Sequence, residues 1–224
     1  LKIENNGIAY GEDGYMFEKF TTLSGDQRAQ YDRNLGYAMT FLNNHQSDNV
    51  TFAIIPNAYA IMPEKLPAGL EQIDQLGLIQ EAYAQAPESA GIVDFSGTLT
   101  EHKDEYIYYR TTDNLTAKGG YLVYEQLGMR LGISPLRTLD QFDIDYSDDY
   151  FYGELYEQLP VDRIQPDRVL LYRFSKYRRE YQVTHYDHGE ARTYYTLFPE
   201  FTAQLSGYKG GNDLILGGLS PVIT

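Results

Sequence analysis

An α/β fold with strands on helices, followed by an antiparallel portion, is predicted by three observations. Short apolar runs rich in β-branched residues alternate with helical periodicity between residues 49 and 132. The later part switches to tyrosine-rich alternation broken by turns. The chain has 224 residues, 42% of them hydrophobic and 22% charged, enough to bury a real core in one domain.

The elements follow in order. "NNGIAYGEDGYMFEKF" (5–20) reads as two short strands around a Gly-Glu-Asp-Gly turn, a hairpin. "SGDQRAQYDRNLGYAMTFLNNH" (24–45) is a helix that Ser24 can cap, with Tyr31, Leu35, Ala38 and Leu42 at helical spacing. His45 ends it, where an imidazolium complements the helix dipole. "NVTFAIIPN" (49–57) is a buried parallel strand ending at Pro56 and Asn57. "PAGLEQIDQLGLIQEAYAQA" (67–86) is a helix with Leu70, Ile73, Leu76 and Ala82 or Tyr83 on one face, weakened by Gly77. "AGIVDFSGTL" (90–99) is a second buried strand, ending in Asp94 and Ser96, and "EYIYYR" (105–110) a third. "AKGGYLVYEQLGMRLG" (117–132) is a helix with Tyr121, Tyr124, Leu127 and Leu131 inward, closed by Gly132. In such sheets the working residues sit in loops at the carboxyl ends of strands. Asn57, Asp94, Ser96 and Asp113 fall there.

Several function classes are excluded or disfavoured. The net charge is −14, and the one basic cluster, "RFSKYRREY" (173–181), reads as a strand face, so nucleic-acid binding is not expected. There are no cysteines, which removes disulfides, thiolate metal sites and thiol catalysis. No apolar run approaches the ~20 residues that span a bilayer. His185, Asp187 and His188 form a tempting metal set, but His185 and His188 alternate across a strand, so no metal and no cofactor is expected. "NLT" at Asn114 fits a glycosylation pattern. Twenty-two tyrosines and no tryptophan suit either half-buried strand faces or a surface that meets sugars.

The turn "RTTDNLTAKGGY" (110–121) carries a family resemblance. It resembles the R-T-D-H-H-W-T-x-x-G-A-Y turn of the DHHW family, bacterial exported relatives of SGNH hydrolases and of the acetyltransferase-like proteins of alginate assembly. With one residue deleted, Arg110, Thr112, Asp113, Thr116, Gly119, Gly120 and Tyr121 fall in frame. "YGEDGYMFE", "AIIPNAYAIMPEKLP", "IVDFSGTL", "DYFYGELYEQL" and "LILGGLSPVIT" are similar to other family stretches, in the family's order.

The resemblance implies an SGNH-hydrolase-like α/β/α sandwich lacking its last strand and helix, a single domain over 1–224 in which the tyrosine-rich alternation over 138–200 forms an antiparallel insertion. It implies an extracytoplasmic protein, secreted or surface-anchored, with a polysaccharide as ligand or substrate. In the family a serine attacks an ester, a histidine takes its proton and an aspartate orients the imidazole. Asp113 is the relic of that aspartate. The histidine position falls on Asn114, or on Leu115 without a gap, and neither returns a proton at neutral pH. The family's serine turn, which would come after one more strand, is not found in this sequence; Ser220 comes too early and is followed by Pro221. The chain is therefore read as a catalytically degenerate glycan binder, with an O-acyl esterase or acetyltransferase using His102 or His185 as the other class. Asp113, Thr112 or Asn114 is expected to cap the following helix, and Arg110 to anchor Asp113, bind an anion or join an ion pair.

Overall fold

The computed structural model describes residues 4–5, 7–162, 164–174, 183–187, 189–194 and 222–223. Strands β1 (Glu4–Asn5), β2 (Ile8–Tyr10) and β3 (Met16–Glu18) form an antiparallel sheet. The predicted hairpin is β2–β3. Its turn holds Asp13 at φ 53° and Gly14 at φ 80°, the left-handed region that aspartate tolerates and glycine favours.

Helix α1 (Gly25–Asn44) starts with a reciprocal cap. Ser24 Oγ accepts from Gln27 N at 3.2 Å, and Gln27 Oε1 accepts from Ser24 N at 2.8 Å. Leu35 and Leu42 are its buried residues. At its end the His45 ring lies 2.7 Å from Asp48.

Strand β4 (Thr51–Ile54) leads into the short helix α2 (Ala58–Ile61), and helix α3 (Gln75–Gln85) leads into β5 (Gly91–Asp94). β4 and β5 pair in parallel from Thr51↔Gly91 to Ile54↔Asp94. β4 is half-buried along its length rather than buried. α3 begins later than its periodicity predicts: Asp74 caps it by accepting from Gly77 N at 2.9 Å, and Leu70 and Ile73 precede it. Gly77 therefore serves the first turn. A Cβ there would lie 2.4 Å from Asp74 Oδ2.

Helix α4 (Ser96–Glu101) follows β5, and α5 (Ala117–Arg130) follows the turn with the family resemblance. α5 buries Tyr121 and Leu122, while Leu131 is 43% exposed. Gly132, at φ 69°, follows its end as predicted. The third strand predicted over 105–110 is absent. Tyr108 makes only an isolated bridge to Leu115. The reason is competition: Arg110 N and Thr111 N donate to the Asp167 carboxylate, and Arg110 O accepts from Met16 N.

Strands β6 (Phe142–Phe151) and β7 (Asp167–Phe174) pair antiparallel, with a register shift between Tyr146 and Tyr150. Helix α6 (Glu154–Gln158) lies between them in sequence. β8 (Val183–Asp187) and β9 (Glu190–Tyr194) form a hairpin, and β10 (Val222–Ile223) pairs with β8. This is the antiparallel, tyrosine-rich region that the alternation predicts. Arg168 covers the exposed rings of Tyr146 and Tyr150 at 4.8 and 5.1 Å. His188 and Ser220 lie outside the described residues, as does the side chain of His185.

One core cluster joins the hairpin to the α/β part through Tyr15, Phe17, Met62, Phe95, Ile107 and Tyr108. A second joins Ile8 and Met16 to Leu155, Leu159 and Ile164. The segment from Ile107 to Thr116 starts within the first cluster at Ile107 and Tyr108 and is tied to the second by Leu155 N, which donates to Thr111 O at 3.1 Å.

Candidate functional site

The turn between Arg110 and Thr116 is anchored at both ends. Thr116, not Asp113, Thr112 or Asn114, is the N-cap of α5: its Oγ1 accepts from Gly119 N at 3.3 Å and donates to Tyr106 O at 2.6 Å. The helix packs closely here. A Cβ on Gly119 would lie 2.3 Å from Ile107 O. Asp113 sits too early to reach the first-turn amides.

The other anchor is Asp167, at the start of β7 and fully buried. Its carboxylate accepts from Arg110 N at 2.8 Å, Thr111 N at 2.9 Å, Thr111 Oγ1 and Tyr106 Oη. Burial, with this carboxylate close by, pushes the Tyr106 phenol far up, so it stays a donor. Gly153 N donates to Thr111 Oγ1 at 2.8 Å and Leu155 N to Thr111 O at 3.1 Å, so α6 also grips the turn. Asp167 and Thr111 carry no signal in the sequence, and Thr116, already in frame with the family turn, takes the capping role expected of Asp113, Thr112 or Asn114. Thr116 itself was the one legible signal, because threonine just before a helical run is a preferred N-cap.

Within the turn, Asn114 Nδ2 donates to Thr112 Oγ1 at 2.9 Å, and Thr112 Oγ1 donates to Glu154 Oε1 at 2.6 Å. Thr112 is 1% exposed, while Asn114 faces solvent. Asp113 is half-buried, and among the described residues its carboxylate has no hydrogen-bond donor. Desolvation first, then the charges of Glu18 and Glu154, push it up to about 7. Tyr59 lies in the field of Asp113 and is 5% exposed with an unpaired hydroxyl. Burial and then Asp113 push this phenol up to about 12.

The other predicted residues are distributed around this turn. Tyr108 Oη donates to Pro56 O at 2.7 Å, which ties the turn to the loop of Asn57. Asn57 N donates to Gln75 Oε1 at 2.7 Å, and Asn57 lines an apolar cavity of about 280 Å³ with Tyr59, Phe20 and Ile79. Asp94 and Ser96 bond to each other instead: Asp94 Oδ1 accepts from Ser96 N at 2.9 Å and Oγ at 2.6 Å, and Oδ2 accepts from Gln80 at 2.7 Å. Burial opposes ionisation of Asp94, but the donors from Ser96 and Gln80 outweigh it and leave the carboxyl below its usual range. Arg110 does not anchor Asp113. Its Nε donates to Asp13 O at 3.2 Å, its Nη1 lies 4.0 Å from Asp167, and its plane stacks near Tyr106 at 4.6 Å. His102 Nδ1 lies 2.6 Å from Glu105, so the partner of this ring is Glu105 rather than Asp113. No group of three or more histidine, aspartate or glutamate side chains is placed to hold a metal among the described residues.

No family model matches the chain, and no curated protein matches it. Solved structures do. A DHHW family protein from Eubacterium siraeum is 19% identical with a TM-score of 0.70, covering 99% of this chain and 71% of that one. The O-acetyltransferase domain of Pseudomonas putida AlgJ is 19% identical at TM-score 0.59, covering 76% and 66%. Bacillus cereus PatB1, solved with a sulfonyl adduct, is 14% identical at TM-score 0.60, covering 83% and 62%. The chain thus spans less than two thirds of the PatB1 chain and of the AlgJ domain. The fold of this chain is therefore the SGNH-like α/β fold that it shares with a DHHW family protein and with the AlgJ acetyltransferase domain.

Proposed function

We propose that this is an extracytoplasmic protein that binds envelope glycans on an SGNH-like scaffold, without acyl transfer through a Ser-His-Asp triad at the 110–116 turn. One observation carries the reading. With Thr116 as the cap, the stretch 110–121 fits the pattern R-T-D-H-H-W-T-x-x-G-A-Y without any deletion, both being twelve residues long. Arg110, Thr111, Thr116, Gly119 and Tyr121 then coincide with the pattern. The aspartate position falls on Thr112, the two histidine positions on Asp113 and Asn114, and the tryptophan on Leu115.

The turn keeps the contact but changes its chemistry. Asn114 donates to Thr112 at 2.9 Å, as a histidine two residues on would donate to the aspartate. A carboxamide takes up no proton near neutral pH, and a hydroxyl does not stabilise an imidazolium as a carboxylate does. The acyl-transfer reading has one observation on its side, the likeness in fold to an O-acetyltransferase domain.

Labelling the full protein with a fluorophosphonate separates the two. The expected result is no adduct on the folded protein, with measurable binding to polysaccharide in a glycan screen. An adduct on a single serine, weakened in an Asn114→Ala variant, overturns the binder reading in favour of an esterase or acetyltransferase.

A further inference from the structure

A polar cleft of about 490 Å³ opens beside the turn, between the β2–β3 hairpin, the 63–65 turn and residues 103–106. Its charged walls are largely settled by internal pairs. Lys65 bonds to Asp13, and that bond and charge hold the Asp13 carboxyl below its usual range. Glu105 takes both His102 and Lys118. Two groups are left over. Asp104 is exposed and lacks a hydrogen bond or ion pair among the described residues. Arg110 uses one guanidinium donor, Nε, on Asp13 O, and its Nη1 stands 4.0 Å from Asp167, beyond hydrogen-bond reach.

Arg110 is also held rigid. Its guanidinium lies 4.6 Å from the Tyr106 ring centre and 5.6 Å from that of Tyr15, and the side chain is 19% exposed. A guanidinium oriented in advance with unused N–H groups is a fork for a planar or tetrahedral oxyanion. Lys103, which lines the same cleft and is paired with Glu64 at 3.2 Å, brings an ammonium donor to that wall. Asp104 supplies an acceptor for hydroxyl groups, which a simple anion does not need and a sugar does.

We propose that this cleft is a subsite for an anionic sugar, with the sugar's single carboxylate or phosphate on Arg110 and its ring hydroxyls on Asp104. The assignment rests on the glycan-binding reading and places it outside the Thr112–Asn114 turn. In a protein of net charge −14, this local pairing of cation and acceptor also selects against densely charged polymers, which the surrounding field repels.

Calorimetric titration of the intact protein with glucuronate, glucose 6-phosphate and glucose tests it. One or both anionic sugars should bind, with glucose at least about tenfold weaker, the usual margin of a charge-assisted fork. Which anion binds identifies the oxyanion. Arg110→Lys keeps the charge but loses the fork, and should weaken binding about tenfold. Because Arg110 packs near buried Asp167, the exposed variants Asp104→Asn and Lys103→Gln give an independent arm, each expected to weaken binding a few-fold. Unchanged affinity in these variants, equal binding of glucose, or no binding of any of the three overturns the subsite. Polysaccharide binding that survives in all three variants sinks the subsite while leaving the binder reading standing. Anionic sugar binding together with a fluorophosphonate adduct does the reverse.

Discussion

Two aspartates that the sequence places alike, Asp94 and Asp113, end up in opposite states. Asp94 closes β5 and takes donors from Ser96 N, Ser96 Oγ and Gln80, and its carboxyl is held below the usual range despite burial. Asp113 is half-buried, faces the charges of Glu18 and Glu154, and is pushed up to about 7. Burial acts on both in the same direction, and only donors reverse it. The backbone explains the difference. Asp94 precedes a helix start whose first N–H, that of Ser96, turns back to it, whereas the amides on either side of the 112–115 stretch go to other acceptors. Arg110 N and Thr111 N go to Asp167, Tyr109 N to Asn114 O and Thr116 N to Ile107 O. A loop at the end of a strand is thus a place where a carboxylate is either saturated or starved, and the neighbouring layer decides which.

Removing the saturating carboxylate is the severest way to break this comparison. Asp167→Ala leaves Arg110 N, Thr111 N, Thr111 Oγ1 and Tyr106 Oη without their acceptor in a buried corner. The expected loss is about 3–5 kcal/mol in urea unfolding, in line with stranding buried partners. Next in size is Gly119→Ala. Its Cβ would stand 2.3 Å from Ile107 O, a backbone atom that cannot step aside. A loss of about 2–3 kcal/mol is expected for such overpacking, whereas Gly120→Ala, with open space around its Cβ, should be neutral or slightly stabilising.

The two positions show how far the sequence could be read. The hairpin, the Ser24 cap, the parallel pair and the end of α5 were legible because each has a local signal: a turn dipeptide, a cap spacing, a β-branched run, a glycine. The third strand was misread because Tyr106–Arg110 has ideal strand composition, yet its hydrogen-bonding partner is a side chain 57 residues away from Arg110. Asp167 left no trace before "RVLLYRF", since a buried aspartate looks like any turn residue in sequence. The site was legible only as a stretch. Asp113 and Asn114 lie in the turn as read, but the helix cap moved from them to Thr116, and Arg110 faces away to Asp167 and the polar cleft. Register within a turn depends on where the helix starts, and that is settled by packing at Gly119.

Asp113 sharpens the comparison through pH. Its folded value of about 7 lies above the ordinary 3.8, so the folded state holds the proton more tightly than the unfolded chain. Its contribution to stability is therefore fully present below about pH 4 and is lost as pH rises to about 7, then changes no further. Asp113→Asn removes that window. At pH 8 the variant should be more stable than the parent by on the order of 2 kcal/mol, allowing for the partial exposure of the site, and the gap should close by pH 4. A parent and variant with parallel stability curves between pH 4 and 8 would show that Asp113 ionises freely.

Asp94→Asn should give a smaller effect of the opposite sign. Its folded value lies below the ordinary 3.8, so its contribution is present above that value and fades as pH falls through the lower folded one. Asparagine can still accept from Ser96 with its one carbonyl oxygen but cannot serve Ser96 and Gln80 with two equivalent oxygens. A loss of about 1 kcal/mol or less is expected at pH 7, vanishing near pH 2, because the group is partly exposed and solvent screens its charge. Measured side by side, the two asparagine variants should cross: one gains stability at neutral pH and the other loses it. If both move in the same direction, donor supply is not what separates the two loops, and the protein's overall negative charge becomes the better account of both.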